Sequence, residues 1–165
     1  MKRTSSTLAA AALVTLISGA LMAQTQTTAT QTVNLSVASV QLIAVSGNMV
    51  SLGIDGTSAV AGTNAVGTDT DNSTTYSVTH NGSTPLRITA AIDVAMPSGT
   101  SLSIDLATSN GTSAGTVTLG TTAQDVVTGI AKGVISAQSI GYSFSADASA
   151  GEFLGSRTVT LTLSN

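Results

Sequence analysis

Residues 86–94 read LRITAAIDV and residues 156–165 read SRTVTLTLSN. In the first stretch Leu86, Ile88, Ala90, Ile92 and Val94 share one parity, with Arg87 and Asp93 on the other. In the second, Val159, Leu161 and Leu163 alternate with Thr158, Thr160 and Thr162 almost to the last residue. A period of two gives an extended chain one apolar and one polar face, so both stretches are expected as half-buried strands. Chain ends normally fray. A terminus with this pattern is expected to be internal to a sheet, held by neighbours on both sides.

The same period recurs outward from these two runs. Val33, Leu35 and Val37 alternate with Asn34 and Ser36, and the phase flips near Ala38-Ser39, where Val40 and Leu42 continue on the other parity. Such a flip marks a bulge or a boundary between strands, because one residue of slip reverses every side chain. Val50, Leu52 and Ile54 form another run, and residues 56–73 read as a long Gly, Thr, Ala and Asn loop. Tyr76, Val78 and His80 share a face before Asn81-Gly82, a pair that tolerates positive φ and signals a hairpin. Turns at Met96-Pro97-Ser98-Gly99 and Asn110-Gly111 bracket Leu102, Ile104 and Leu106. Val117 and Leu119, the less regular Val126, Val127 and Ile130, and then Ile140, Tyr142 and Phe144 complete the series. The expected fold is all-β: an antiparallel β-sandwich of jelly-roll or Greek-key type, with about eight to ten strands following a signal peptide.

That signal is read from Lys2 and Arg3, the apolar run from Leu8 to Leu21, and the small residue that ends Leu21-Met22-Ala23. Cleavage is expected after Ala23, with Ala20 as the alternative. The apolar run is short for a bilayer span of ~20 residues, so no membrane insertion is expected once it is removed. The domain plan is 1–23 signal peptide, 24–32 polar N-terminal extension and 33–165 a single domain. Removing Lys2 and Arg3 leaves Arg87, Lys132 and Arg157 against eight acidic residues, a net charge of −5. Three scattered cations make no footprint for a phosphate backbone, which excludes nucleic acid as a partner. Only 8% of residues are charged, but 42% are hydrophobic, enough to bury a core and not the balance of a disordered chain.

Chemistry-bearing residues are sparse. There is no cysteine and one histidine, so a thiolate metal site is excluded and a zinc site is not expected. His80 reads either as a general base or as a strand-end residue beside a turn. No G-x-S-x-G accompanies it, which favours the turn. Asp69 and Asp71 could offer oxygen ligands to calcium, but lack the Gly and distal Glu of a complete loop. Asp93 and Asp105 superficially suggest paired glycosidase carboxylates, yet two Tyr, two Phe and no Trp are too few aromatics to line a sugar cleft. Tyr142 and Phe144 are expected in the core, and Lys132 reads as an exposed loop residue. No catalytic residue, cofactor or metal is assigned, and the chain is expected not to be an enzyme.

The stretches AMPSGTSLSIDLA (95–107), TTAQDVVTGI (121–130), IGYSFSADA (140–148) and RTVTLTLS (157–164) resemble those of small exported bacterial fimbrial or pilin-type β-sandwich proteins. The resemblance implies a secreted, cell-surface structural subunit that polymerises head to tail with itself. It also implies donor-strand complementation, in which one subunit's N-terminal extension completes the sheet of the next. Val33, Leu35 and Val37 would then be the intersubunit donor strand. The chain differs from chaperone–usher pilins in having no disulfide pair and no aromatic near its end. The alternative reading is a monomeric secreted adhesion or ligand-binding module, with loop 56–73 meeting a host or cell-surface ligand.

Overall fold

Alternation becomes burial most cleanly at Leu86–Ile92, where Leu86, Ile88, Ala90 and Ile92 are buried while Arg87 is exposed. The computed structural model describes residues 27–47 and 49–165. The expected signal segment 1–23, and residues 24–26 of the expected extension, lie outside the described residues. Among those described there is no helix. The strands are β1 (Gln41–Val45), β2 (Ala65–His80), β3 (Leu86–Ile92), β4 (Thr100–Leu106), β5 (Thr112–Ser113), β6 (Val117–Thr118), β7 (Gln124–Ile130), β8 (Gly133–Asp147) and β9 (Val159–Ser164).

They form two antiparallel sheets. The five-stranded sheet has the order β1-β2-β8-β4-β6 and the four-stranded sheet β5-β7-β3-β9. From β2 onward every connection crosses from one sheet to the other. The apolar parities of both sheets therefore meet in one core, which includes Tyr76, Ile104, Ile135 and Ile140 from one sheet and Ile88, Val126 and Ile130 from the other. In β7 both Val126 and Val127 are buried. The β3–β7 register slips on either side of the Ile88–Val127 pair, which explains the irregular apolar spacing of that segment. The compact unit spans Val37–Asn165. Residues 27–36 belong to a separate N-terminal unit and carry no strand.

Four expectations are corrected. First, β9 pairs only with β3 and forms the rim of its sheet, so the terminal strand has one neighbour and not two. Second, residues 65–73 are not loop but the first half of β2, laddered to β8. Thr68, Asp69, Thr70 and Asp71 carry no apolar period, so only their partner strand reveals them. Third, Asn81-Gly82 closes no hairpin, because β2 and β3 lie in different sheets, each turning its apolar parity to the shared core. Fourth, Val50, Leu52 and Ile54 form no strand, although they are half-buried while Ser51, Gly53 and Asp55 are exposed. The alternation there records a covered face without a ladder.

Core packing of this kind sets the stability of the whole unit. Ile104 is fully buried, whereas Leu154 is fully exposed. Ile104→Ala is expected to lower the unfolding free energy in urea titrations by about 2–5 kcal/mol, and Leu154→Ala to change it by less than about 0.5 kcal/mol.

Candidate functional site

An antiparallel strand turns alternate backbone groups to opposite sides. The Asp93 N–H donates to Thr158 O at 3.1 Å, and the Ile92 N–H turns away to Gly120 O at 2.9 Å. With Ile92 opposite Val159 and Ala91 opposite Thr160, the even-numbered residues of β9 bond β3. The N–H and C=O groups of Val159, Leu161 and Leu163 point to the free edge. Edge strands are ordinarily blunted by charge, proline, a bulge or shortness. β5 and β6 are two residues long, whereas β1 has five and β9 six, both with unbroken register, no charged residue and no proline. The edge of β9 is a ready template for another strand.

Below that edge lies an open groove of about 850 Å³. Val159 and Leu161 line it together with Ile43, Val45, residues 49–52, Tyr142 and Phe144. These two aromatics pack against the core but are only half-buried. The expectation that they belong to the core holds on one side only, since the other side faces the groove. Burial pushes the Tyr142 phenol above its ordinary value, so it remains a neutral hydroxyl.

Arg157 also lines the groove. Its guanidinium stacks over the Phe153 ring, 5.3 Å from the centroid. Nη2 donates to Ala95 O at 2.9 Å and Nη1 to Ser156 O at 2.7 Å. Gly155 permits the fold-back, because a Cβ there would stand 2.9 Å from the Phe153 ring. Arg157, Phe153 and Thr74 were not singled out by sequence reasoning. The signal available was parity, since Arg157 continues the row of Val159 and Leu161 backward by one step.

The chain enters the compact unit at a second built feature. The Asn81 side chain acts as a short piece of ladder: Val40 N–H donates to its Oδ1 at 2.7 Å, and its Nδ2 donates to Ala38 O at 2.8 Å. His80 supports this turn from beneath. It is 2% exposed, its Nδ1 accepts the Gly82 N–H at 3.2 Å, and its Nε2 lies 3.0 Å from Thr84 O. A carbonyl only accepts, so the proton sits on Nε2. Gly82 is required by this approach, since a Cβ would come within 2.7 Å of His80 Cε1. Both ring nitrogens are engaged with backbone, which makes His80 a brace of the turn.

The carboxylates bracket backbone in the same way. Asp69 accepts the N–H of Gly53 at 2.8 Å and that of Thr70 at 2.8 Å, and Asp71 accepts the Ser73 N–H at 3.0 Å and its hydroxyl at 2.8 Å. Among the described residues no three His, Cys, Asp or Glu gather into a metal-holding group. Asp93 follows β3 in one sheet, and Asp105 lies exposed on β4 of the other. Lys132 is exposed. Upstream of the Asn81 clamp, Val33, Leu35 and Val37 are 66%, 88% and 89% exposed and lie in no strand. Compared with protein-family models, with curated proteins and with solved structures, the chain finds no match in any of the three.

The approach to β9 depends on Asp93, whose Oδ1 accepts Thr158 N–H at 3.0 Å and Val94 N–H at 2.9 Å. The Thr158 bond above all holds this carboxyl below its ordinary value. Its stabilising contribution is therefore complete above the unfolded value of about 3.9 and is lost as pH falls through the lower folded value. Thermal melts are expected to show a smaller loss of Tm between about pH 5 and pH 2 in Asp93→Asn than in the parent. Part of the acid sensitivity remains, because Asp55 and Asp147 are shifted in the same direction by bonds from Thr57 and Ser149.

Proposed function

We propose that this protein is an exported, non-enzymatic β-sandwich subunit of an extracellular filament or matrix. In it, the N-terminal segment of one copy completes the four-stranded sheet of the next. The observation that carries this reading is the unblunted edge of β9 above an open groove that Val159, Leu161, Tyr142 and Phe144 help to line, in a chain that also presents an exposed, alternating apolar segment at Val33, Leu35 and Val37. Strand addition supplies ladder bonds for affinity and pockets for alternate side chains for specificity. The three apolar residues recur at every second position, the spacing at which Val159 and Leu161 line the groove. Donor and acceptor are different surfaces of the same chain, so the contact is heterologous and builds an open, head-to-tail series. The resemblance to fimbrial subunits points the same way, and no cofactor is needed for the assembly.

Electron microscopy and size-exclusion chromatography of residues 24–165 are expected to show concentration-dependent polymers. Leu35→Glu places a charge in the middle of the inserted strand without touching a buried position, and should leave monomers. A chain lacking residues 24–38 should do the same. Monomers at high concentration from the unaltered mature chain would sink strand donation and favour the single-module reading.

A further inference from the structure

The segment between β1 and β2 repeats the pattern of the donor. Residues 50–54 read VSLGI and residues 33–37 read VNLSV. Each has Val, Leu and a β-branched residue at every second position, with small or polar residues between. The two segments lie differently, since Val33, Leu35 and Val37 are exposed whereas Val50, Leu52 and Ile54 are half-buried.

The register of the larger sheet shows what residues 50–54 cover. Residues directly opposite in an antiparallel pair turn their side chains to the same face. Gly67 stands opposite Ala146, Asp69 opposite Phe144 and Asp71 opposite Tyr142. Gly67 and Asp69 therefore belong to the inner face, together with the two aromatics that line the groove. Ile54 rests on that face at Gly67, where an added Cβ would stand 2.8 Å from Ile54 Cγ2. The Gly53 N–H donates to Asp69 Oδ2 at 2.8 Å. Leu52 packs against the core and lines the groove. The segment is thus a strap laid over the inner face by its side chains, and it lies in no strand.

A strand added beside β9 extends the smaller sheet, and each sheet of a sandwich packs its apolar side chains on the inner face of the other. Donor and strap therefore call on the same face with the same side-chain pattern. We infer that residues 50–54 are an internal mimic of the donor strand, which holds its place in the free subunit and is displaced from the inner face when residues 33–37 of another copy enter. This rests on the strand-donation reading. In the exchange Val, Leu and Val replace the contacts of Val50, Leu52 and Ile54, and the bond at Gly53 is lost. The donor adds ladder bonds to the free groups of Val159, Leu161 and Leu163, which the strap does not make. Until a donor arrives, the mimic keeps an apolar face from lying open to solvent.

The contact at Gly67 supplies the test. An added Cβ there would lie 3.9 Å from Ile54 Cβ, within the ~3.5–4.5 Å that a disulfide spans, and Ile54→Cys removes the Cγ2 that stands closer. The chain has no cysteine, so an introduced pair has no competitor. In residues 24–165, Ile54→Cys/Gly67→Cys is expected to stay monomeric when oxidised and to polymerise when reduced. Polymers from the oxidised form at the rate of the reduced one overturn the inference while leaving strand donation standing. Absence of polymers from the unaltered chain overturns both readings. When polymers assembled under reduction are then oxidised, the two thiols should remain unlinked, because the strap has left Gly67, whereas in monomers they should link. Linkage to the same extent in both overturns the inference. Asp69→Ala loosens the strap without a crosslink and should speed assembly about tenfold, the worth of a bond to a charged acceptor. Adding Leu35→Glu to that chain should abolish its polymers, which separates strand insertion from aggregation of a loosened fold. Assembly of Asp69→Ala no faster than the parent would refute the role of the strap.

Discussion

The ladder between β2 and β8 is the constraint on which the rest of the structure depends. These strands have sixteen and fifteen residues, against seven in β3 and six in β9. Their pairing runs from Ala65–Asp147 to His80–Gly133, with three irregularities that absorb twist. One bulge places Ala137 at a φ of 47° opposite Ser77, whose hydroxyl accepts the Ala137 N–H at 3.0 Å. A sheet built on this ladder is longer than its partner. The shorter sheet leaves part of the longer one's inner face uncovered by any strand, and Tyr142, Phe144 and Thr74 line the groove that remains.

A groove between unequal sheets is a common by-product of packing. This one lies between two rim strands, β1 and β9, neither of which carries a charge or a proline. The rims β5 and β6 are two residues long, β1 is uncharged and proline-free over five, and the exposed ion pair between Arg87 and Asp125, 3.6 Å apart, sits across the β3–β7 pairing and not on β9. A solvent-exposed pair of this kind adds little stability. β9 instead presents Val, Leu and Leu with their backbone groups unpaired, a combination usually selected against in monomers. The low charge of the chain sharpens this, since there is little electrostatic repulsion to keep edges apart.

With few charges available, polar side chains are devoted to fixing backbone. Asp55, Asp93 and Asp147 each accept a nearby N–H. Asn81 and Asn110 clamp segments far away in sequence, Asn110 by a pair of bonds to Ala131. On the outer face of the larger sheet, Ser and Thr hydroxyls bond one another across strands, as Ser101 does with Ser145 at 2.7 Å. His80 is used in the same way, with both ring nitrogens meeting backbone groups. Asn81 is the most consequential of them, because it fixes where the N-terminal segment parts from the compact unit.

Alternation along single strands was legible in the sequence wherever one face is buried. Leu86–Ile92, Leu102–Leu106 and Val159–Leu163 need only a period of two, and the all-β class follows from them. The first half of β2 was not legible, because its Thr and Asp side chains carry no apolar parity, and its strand character comes wholly from bonds to β8. Nor could Asn81-Gly82 declare that it joins different sheets, since a turn's backbone freedom does not depend on where its flanking strands go. Local pattern, in short, determined which face an alternating segment buries, because side-chain direction along an extended chain is set by the backbone itself. Neighbour order was decided only in the tertiary structure. That order made β9 a rim and opened a groove beneath it.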